Sequence, residues 1–283
     1  MSGVYSGGVA IGLHRLGLVN AFDSLIGISA GAAACAYFLS GQSELGTSLY
    51  YEEFASKRFL NPYRMTRIMD IDYLMEKLRH GKALDVDRIR AGRSRLLIGA
   101  TEVQTGACAL LDVVNEPIDI VSAIAASCSL PGISTGSRRI NGVDYTDGVV
   151  ACGLPVAYAR DQLDCTDLLI VLNAPFTETQ PAPSFAERLI VNILARKMPR
   201  AIRSGFTTRH RLYDESATLI RSLGVQGSGV NIGVIAPSES IVGPLTTDPA
   251  LLRVAAEQGT TEAMHFFGCD DAATSDPLEP VGA

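Results

Sequence analysis

The sequence predicts an α/β protein with a mainly parallel central sheet and helices on both of its faces. Strand-like and helix-like segments alternate along the 283 residues, which is the order typical of a parallel sheet. The segment 168–172 is apolar and uncharged, as expected of a strand buried on both faces. Hydrophobic residues make up 47% of the chain and aromatic residues only 6%, which suits a core of small aliphatic side chains.

The strands are predicted from short apolar runs between turn residues. The first run ends at Gly27, and the second turns at a Gln-Thr-Gly sequence into the third. Asn141-Gly142 separates two further β-rich runs and predicts a hairpin. Apart from the two strands of this hairpin, the expected strands are 22–26, 95–101, 107–113, 168–172 and 231–236.

The helices are predicted from longer segments that end at glycine or proline. Gly17 ends the first helix and Pro131 follows the end of another, while Pro199 breaks a long helical stretch. The expected helices are 9–16, 30–39, 118–128, 184–223 and 249–267, together with two or three helices within 44–80.

The chain is expected to form one domain, residues 1–269, with a helical insertion at about 44–92. No repeat and no linker divides it. The tail 270–283 is acidic, contains proline and has few apolar residues, so it is predicted to be disordered.

Charge and hydropathy limit the partners. The net charge is −6 and the pI about 5.3, which argues against nucleic-acid binding. Residues 24–43 are uncharged and long enough to cross a membrane, but three glycines and a central serine favour a buried strand and helix instead. No secretory signal is recognisable in residues 1–18, so a cytoplasmic protein is expected.

The six cysteines are scattered and include no Cys-x-x-Cys pair. We therefore expect no metal site, no cofactor and no disulfide framework, and interpret most of the cysteines as small buried residues in a reducing compartment.

The pentapeptide Gly27-Ile28-Ser29-Ala30-Gly31 has the pattern of a nucleophile elbow. A predicted strand precedes it and an Ala-rich predicted helix follows, which is the context that the motif requires. In such an elbow the flanking glycines allow close backbone approach, and the amide of Ala30 can donate to an oxyanion. A simple Gly/Ser turn between a buried strand and a buried helix would explain the pentapeptide equally well.

A nucleophilic serine needs a base. His210 and His265 have a suitable position in the chain, but the first lies in a basic run and the second in an apolar helical segment. Asp147 ends a β-rich run, and Gly148 permits a tight turn behind it. Asp-Gly is also a common turn dipeptide, so Asp147 alone does not identify a base.

Together the elbow, the run 126–132 (Ala-Ser-Cys-Ser-Leu-Pro-Gly) and the run 145–149 (Tyr-Thr-Asp-Gly-Val) resemble the patatin-like phospholipases. The resemblance extends from the N-terminus to about Val171. It implies a three-layer α/β/α fold and a serine lipid acyl hydrolase, in which Ser29 is the nucleophile and Asp147 the base of a dyad. A lipid or fatty-acyl ester is then the expected substrate, and no histidine is required.

The N-terminus departs from the family pattern. Patatin-like chains open with a strand and a Gly-Gly-Gly-x-Arg/Ser-Gly loop that supplies most of the oxyanion hole, and this sequence matches only its last three positions, around Gly3. One explanation is that Met1 is an internal methionine of a longer protein. The other is that the protein binds lipid or a partner and is catalytically weak or inactive. Catalysis would be weak because loss of one oxyanion donor costs about 3–4 kcal/mol in the transition state.

Two further segments could contact substrate or membrane. The aromatic and Met-rich stretch 50–79 corresponds to helices that cover the acyl pocket in this family, although an ordinary amphipathic layer would have the same composition. A basic stretch could meet anionic head groups in a peripheral membrane contact, or form a solvated helix face; it contains Arg196, Lys197, Arg200, Arg203, Arg209 and Arg211.

Overall fold

The computed structural model describes residues 1–64, 67–134, 136–177, 179–184, 193, 196, 198–224 and 229–269. The strands are β1 Ser24–Ile28, β2 Arg95–Glu102, β3 Cys108–Asp112, β4 Arg138–Ile140, β5 Val143–Asp147, β6 Asp167–Val171 and β7 Asn231–Ile235. The helices are α1 Val4–Arg15, α2 Ala30–Leu39, α3 Ser43–Leu49, α4 Ile71–Glu76, α5 Val86–Ala91, α6 Ile120–Ser127, α7 Val156–Gln162, α8 Arg200–Leu223 and α9 Pro249–Phe266.

The predicted α/β class is confirmed, and the arrangement is consistent with three α/β/α layers. Strands β1 to β5 form a five-stranded sheet, and β6 and β7 form a separate pair. The pairs β1–β2 and β6–β7 are parallel, as predicted, whereas β2–β3, β2–β5 and β4–β5 are antiparallel. The five-stranded sheet is therefore mixed and not mainly parallel as predicted, because short turns join β2 to β3 and β4 to β5, and strands joined by short turns run antiparallel.

The hairpin between β4 and β5 has the predicted turn. Asn141 and Gly142 both adopt positive φ, 46° and 85°, as the two central residues of a type I′ turn must. This turn fixes the register of β5, whose last residue is Asp147.

Strands β1 and β5 lie end to end along one edge of β2. Ile28 of β1 pairs with Gly99, and Asp147 of β5 pairs with Ala100. Strand β3 pairs with both Gly99 and Ala100 and so occupies the opposite edge of β2. Because β1 runs parallel to β2 and β5 antiparallel, the carboxyl ends of β1 and β5 meet.

Helix α1 begins at Val4, earlier than the predicted start at residue 9. Two adjacent glycines, Gly7 and Gly8, disfavour a helix there by propensity. Packing outweighs this cost, because a Cβ on Gly8 would lie 2.0 Å from the Ala256 carbonyl oxygen of α9, and one on Gly259 would lie 2.3 Å from the Tyr5 carbonyl oxygen. The small residues thus allow α1 and α9 to approach closely.

The other predicted boundaries differ from the observed ones by small shifts. The first strand begins two residues later than expected, at Ser24. The helix after Pro199 is found, whereas residues 185–192 lie outside the described part, as does the predicted tail 270–283. Strand β6 is less buried than predicted, because it pairs with β7 outside the main sheet, and Ile170 is its only buried residue. Among the described residues, none of the helices combines the length and the apolar character that crossing a membrane needs.

Candidate active site

Ser29 lies between the last residue of β1 and the first residue of α2. Its backbone has φ 53° and ψ −123°, a conformation that costs an L-residue about 1–3 kcal/mol and is typical of functional sites. This strained turn between a strand and a helix has the backbone geometry that a nucleophile elbow requires.

The two glycines of the elbow differ in their surroundings. A Cβ on Gly27 would lie 2.6 Å from both Ala32 Cα and the Gly31 carbonyl oxygen, so β1 and α2 can approach only if residue 27 has no side chain. A Cβ on Gly31 would meet no atom within 4 Å. Close backbone approach was predicted for both positions and occurs only at Gly27.

Ser127 holds the elbow in place. The backbone N–H of Ser29 donates to Ser127 Oγ at 2.7 Å, and Ser127 Oγ donates to the Gly99 carbonyl oxygen at 2.6 Å. This positioning residue lies in the run 126–132, which marked the family resemblance without indicating a role for Ser127. Since the N–H of Ser29 is engaged, it is not a free oxyanion donor.

Asp147 is held by three hydrogen bonds, two of its backbone and one of its carboxyl group. Its N–H donates to the Ser129 carbonyl oxygen at 3.0 Å, its carbonyl oxygen accepts from Thr101 Oγ1 at 2.9 Å, and its Oδ1 accepts from the Val149 N–H at 3.0 Å. Gly148 is required directly after it, because a Cβ there would lie 2.3 Å from the Gly99 carbonyl oxygen. The predicted close approach at Gly148 is therefore present.

The structure brings Ser29 and Asp147 together. Ser29 Oγ donates to Asp147 Oδ2 at 3.0 Å, a distance at which a base can accept the proton of a nucleophile. Neither His210 nor His265, the histidine alternatives, supplies this contact. Asp147 is only 3% exposed.

Burial raises the pKa of Asp147 to about 7, although the hydrogen bonds from Val149 and Ser29 and the charge of Arg209 act in the opposite direction. The ionised carboxylate is disfavoured in this buried environment because little water is present to solvate its charge. A pKa near neutrality makes this carboxyl group a far stronger base than an ordinary aspartate.

The N-termini of α1 and α2 meet beside Ser29. Gly3 directly precedes α1, and Ala30 is the first residue of α2. A Cβ on Gly3 would lie 2.3 Å from Ala30 Cβ, so the backbone at Gly3 lies directly against the Ala30 side chain. Amides in the first turn of a helix have no intrahelical acceptor and form the positive end of the helix dipole, which suits them to a developing oxyanion.

A largely apolar cavity of about 220 Å³ borders Ser29. The aromatic stretch 50–79 contributes Tyr50, Phe54, Phe59 and Met69 to its walls, as the resemblance implied. Tyr63 does not line it and is 85% exposed, and Met65 lies outside the described residues. Small residues of α1 and α2 form another wall, including Gly3, Ala10, Ala30, Ala33 and Ala34.

One cysteine lies beside Ser29, and two others form a disulfide. Cys128 lines the cavity, and burial, reinforced by the charge of Asp147, raises the pKa of its thiol, so it remains neutral beside Ser29. Cys108 and Cys152 form a disulfide with a Cα–Cα distance of 4.8 Å. For this pair the expectation of reduced cysteines is wrong. Cys108 begins β3, which pairs with β2, and Cys152 Sγ lies 3.4 Å from the Ala100 carbonyl oxygen of β2, so both cysteines lie against the same strand.

The basic stretch forms part of α8 from Arg200 onwards, while Lys197 lies outside the described residues. Arg209 follows the buried Phe206 by three residues and Ile202 by seven, so it continues the side of α8 that carries them, although Arg209 itself is exposed. This places a cation close enough to Asp147 to affect its pKa.

Within the described residues, no three His, Cys, Asp or Glu side chains are grouped as a metal site would require.

Comparison with known proteins identifies the family. The family model described as patatin-like phospholipase matches residues 1–160, more than half of the 283 residues, and this range contains both Ser29 and Asp147. The uncharacterized protein YjjU of Escherichia coli (strain K12) is 24% identical over 194 residues, which are 66% of this chain and 53% of that protein. The chain thus spans about half the length of this curated relative. On the extent of the family match, the chain belongs to the patatin-like phospholipase family.

Proposed function

We propose that this protein is a serine lipid acyl hydrolase that cleaves carboxylic esters through a Ser29–Asp147 dyad. The observation that carries the proposal is the hydrogen bond of 3.0 Å from Ser29 Oγ to Asp147 Oδ2, made at a strained elbow beside an apolar cavity. Family membership supports lipid acyl hydrolysis in general terms, and the hydrogen bond supplies the specific chemistry.

In the first half of the reaction, Asp147 accepts the hydroxyl proton as Ser29 Oγ attacks the carbonyl carbon of the ester. The tetrahedral intermediate then expels the alcohol, which takes the proton from Asp147 and leaves an acyl group on Ser29. In the second half, Asp147 accepts a proton from water, and the resulting hydroxide equivalent attacks the acyl-enzyme. The collapse of this intermediate releases the carboxylic acid and returns the proton to Ser29.

The oxyanion of both intermediates needs donors. We assign the amide of Ala30 and the amide of Gly3, which precede or begin two helices that meet at Ser29. Gly27, Gly31 and Gly148 belong to the surrounding elbow and turn, with Gly27 and Gly148 allowing the close backbone approach.

We also propose the substrate class, the domain bounds and the location. The substrate is a lipid or fatty-acyl ester, the hydrolase domain comprises residues 1–269 with a helical insertion at about 44–92, and the protein works in the cytoplasm with peripheral contact to a membrane. The cations of α8 support that contact, since they lie on a protein whose net charge is −6.

A second candidate function is binding of lipid, or of a partner, without efficient catalysis. It is favoured by the sequence around Gly3, which matches only the last three positions of the family's glycine-rich loop. The cavity beside Ser29 would serve either function, so turnover must decide between them.

The test is hydrolysis of a chromogenic octanoyl ester by the chain, with Ser29→Ala and Asp147→Asn as matched variants. We expect both substitutions to lower kcat by at least about 10³-fold, and a fluorophosphonate probe to label the chain at Ser29 alone. Hydrolysis that survives Ser29→Ala contradicts the assignment. Labelling of Ser29 without measurable turnover would favour the second candidate.

A further inference from the structure

We propose that the cavity beside Ser29 is a closed acyl site that selects medium-chain acyl groups, of about six to ten carbons, over long-chain ones. The proposal rests on the proposed hydrolase function and names its substrate class. Three features of the cavity support it: the cavity runs along α2, it is closed at the far end, and its volume is limited.

The cavity follows α2 away from the nucleophile. Ala30, Ala33 and Ala34 lie on one face of α2, at spacings of three and four residues, and Tyr37 continues that face one turn later. Methyl side chains on this face leave room for a chain alongside the helix. An acyl group on Ser29 Oγ can therefore extend along α2 towards Tyr37.

The end at Tyr37 is closed and held in place. Tyr37 is 3% exposed, and its hydroxyl donates to the Lys82 carbonyl oxygen at 2.6 Å. Its ring packs directly on α3, because a Cβ on Gly46 would lie 2.2 Å from Tyr37 Cγ. The ring cannot move towards α3 to admit a longer chain without a shift of backbone.

A buried polar atom marks the same end. Ser43 is 1% exposed and lines the cavity, and within the described part of the chain its Oγ has no hydrogen-bond partner. Thr47, one turn further along α3, donates its own hydroxyl to the Ser43 carbonyl oxygen at 2.8 Å. An alkyl chain that pressed against Ser43 Oγ would keep it from water, which disfavours further extension.

The size of the cavity sets the number of carbons. A volume of about 220 Å³ holds at least roughly seven groups of the size of a water or methylene, at about 30 Å³ each. From Ser29 to Tyr37 the helix rises about 12 Å, and an extended chain that advances roughly 1.2 Å per bond covers this in about ten bonds. Volume and length together define the range of six to ten carbons.

The decisive measurement is kcat/KM for p-nitrophenyl esters from acetyl to palmitoyl, at one fixed detergent concentration. A buried methylene contributes about fourfold, so we expect kcat/KM to rise with each added carbon, to peak between hexanoyl and decanoyl, and to fall at least about tenfold by palmitoyl. A profile that stays level or keeps rising to palmitoyl overturns the proposal and leaves the hydrolase function intact.

A larger side chain in the cavity wall should shorten the acyl chain that the cavity accepts. Ala34→Leu adds three carbons to the wall and is expected to move the optimum down by about three carbons, while Ala91→Leu, the same change at an exposed position of α5, should leave the optimum in place. An unchanged optimum in a folded Ala34→Leu variant contradicts the course assigned to the acyl chain. If that variant does not fold, the dependence of kcat/KM on acyl length in the unaltered protein still tests the proposal.

A binding measurement separates this proposal from the function on which it rests. Calorimetric titration of Ser29→Ala with octanoate and palmitate requires no turnover. Tighter binding of octanoate supports the closed site even if no ester is hydrolysed, in which case only the catalytic assignment fails. Tighter binding of palmitate contradicts the closed site whatever the activity.

Discussion

Ser29 Oγ and Asp147 Oδ2 lie 3.0 Å apart although 118 residues separate them in the chain. They meet because Ile28 and Asp147 pair with consecutive residues on one edge of β2. The strained conformation of Ser29 then turns its side chain towards the carboxylate at the end of β5. The relative position of the two groups therefore depends on the sheet and not on a flexible loop.

The first prediction concerns the pH dependence of hydrolysis. In the proposed mechanism Asp147 must be ionised to accept the proton of Ser29, and burial raises the pKa of Asp147 to about 7. The value of kcat/KM should therefore fall about tenfold per pH unit below pH 7 and level off above it. Ester hydrolysis measured from pH 5 to pH 9 tests this, and a midpoint near pH 4 would show that Asp147 is solvated.

Arg209 provides a matched pair of variants for the same profile. Its positive charge lowers the pKa of Asp147, so Arg209→Gln should move the midpoint to higher pH. Arg211→Gln removes an equal charge two residues along α8 and should move it less, because the pKa of Asp147 responds to Arg209. Equal shifts in both variants would indicate a general effect of net charge.

The second prediction is that Asp147→Asn stabilises the fold at alkaline pH. In the unfolded chain the carboxyl group has a pKa of about 3.9, whereas in the fold it is about 7. The folded state thus holds the proton more tightly than the unfolded chain does. The stabilisation that this carboxyl group contributes is fully present below pH 4 and is lost as the pH rises to 7. A difference of three pH units corresponds to about 4 kcal/mol.

Asparagine carries no charge and retains an oxygen that can accept from the Val149 N–H. Chemical denaturation of both proteins at pH 4 and pH 8 measures the difference in unfolding free energy. Asp147→Asn should be the more stable protein at pH 8, by up to about 4 kcal/mol, and the gap should close towards pH 4. A variant that is less stable at pH 8 would contradict a buried, charged Asp147.

Local sequence signals predicted much of this site. The elbow around Ser29 and the turn at Asn141-Gly142 depend on neighbouring residues and were both readable from the chain. The support given to Ser29 by Ser127 was not, because it depends on a hydrogen bond across 98 residues. The early start of α1 was missed for a related reason, since Gly8 is helical only when packed against α9.

The third prediction separates the strain at Ser29 from its chemistry. Ser29→Ala and Ser29→Gly both remove the proposed nucleophile, but only glycine adopts φ 53° and ψ −123° without steric cost. Relief of about 1–3 kcal/mol of strain, less about 0.5–1 kcal/mol of additional chain entropy, should make Ser29→Gly the more stable variant by about 1 kcal/mol. Urea denaturation of the two inactive variants measures this directly, and equal midpoints would mean that the elbow is unstrained.

The fourth prediction distinguishes the two glycines of the elbow. Gly27→Ala would force a Cβ against the backbone of α2 and should destabilise the protein by about 1–3 kcal/mol or more. Gly31→Ala meets open space within α2 and should be neutral or stabilise it by about 0.5–1 kcal/mol. Thermal unfolding of the pair tests this, and similar losses in both variants would show that Gly31 is also needed for packing.

The fifth prediction concerns the disulfide between Cys108 and Cys152, which closes a loop of 44 residues. Constraint of a loop of this size in the unfolded chain contributes about 4 kcal/mol in the chain-entropy description. Under oxidising conditions, the double change Cys108→Ser and Cys152→Ser should lower the free energy of unfolding by up to that amount. Cys165→Ser, which removes an unpaired cysteine, should change it little. A reductant should destabilise the unaltered protein and Cys165→Ser but have no effect on the double variant, and a protein whose unfolding ignores the reductant would contradict a formed disulfide.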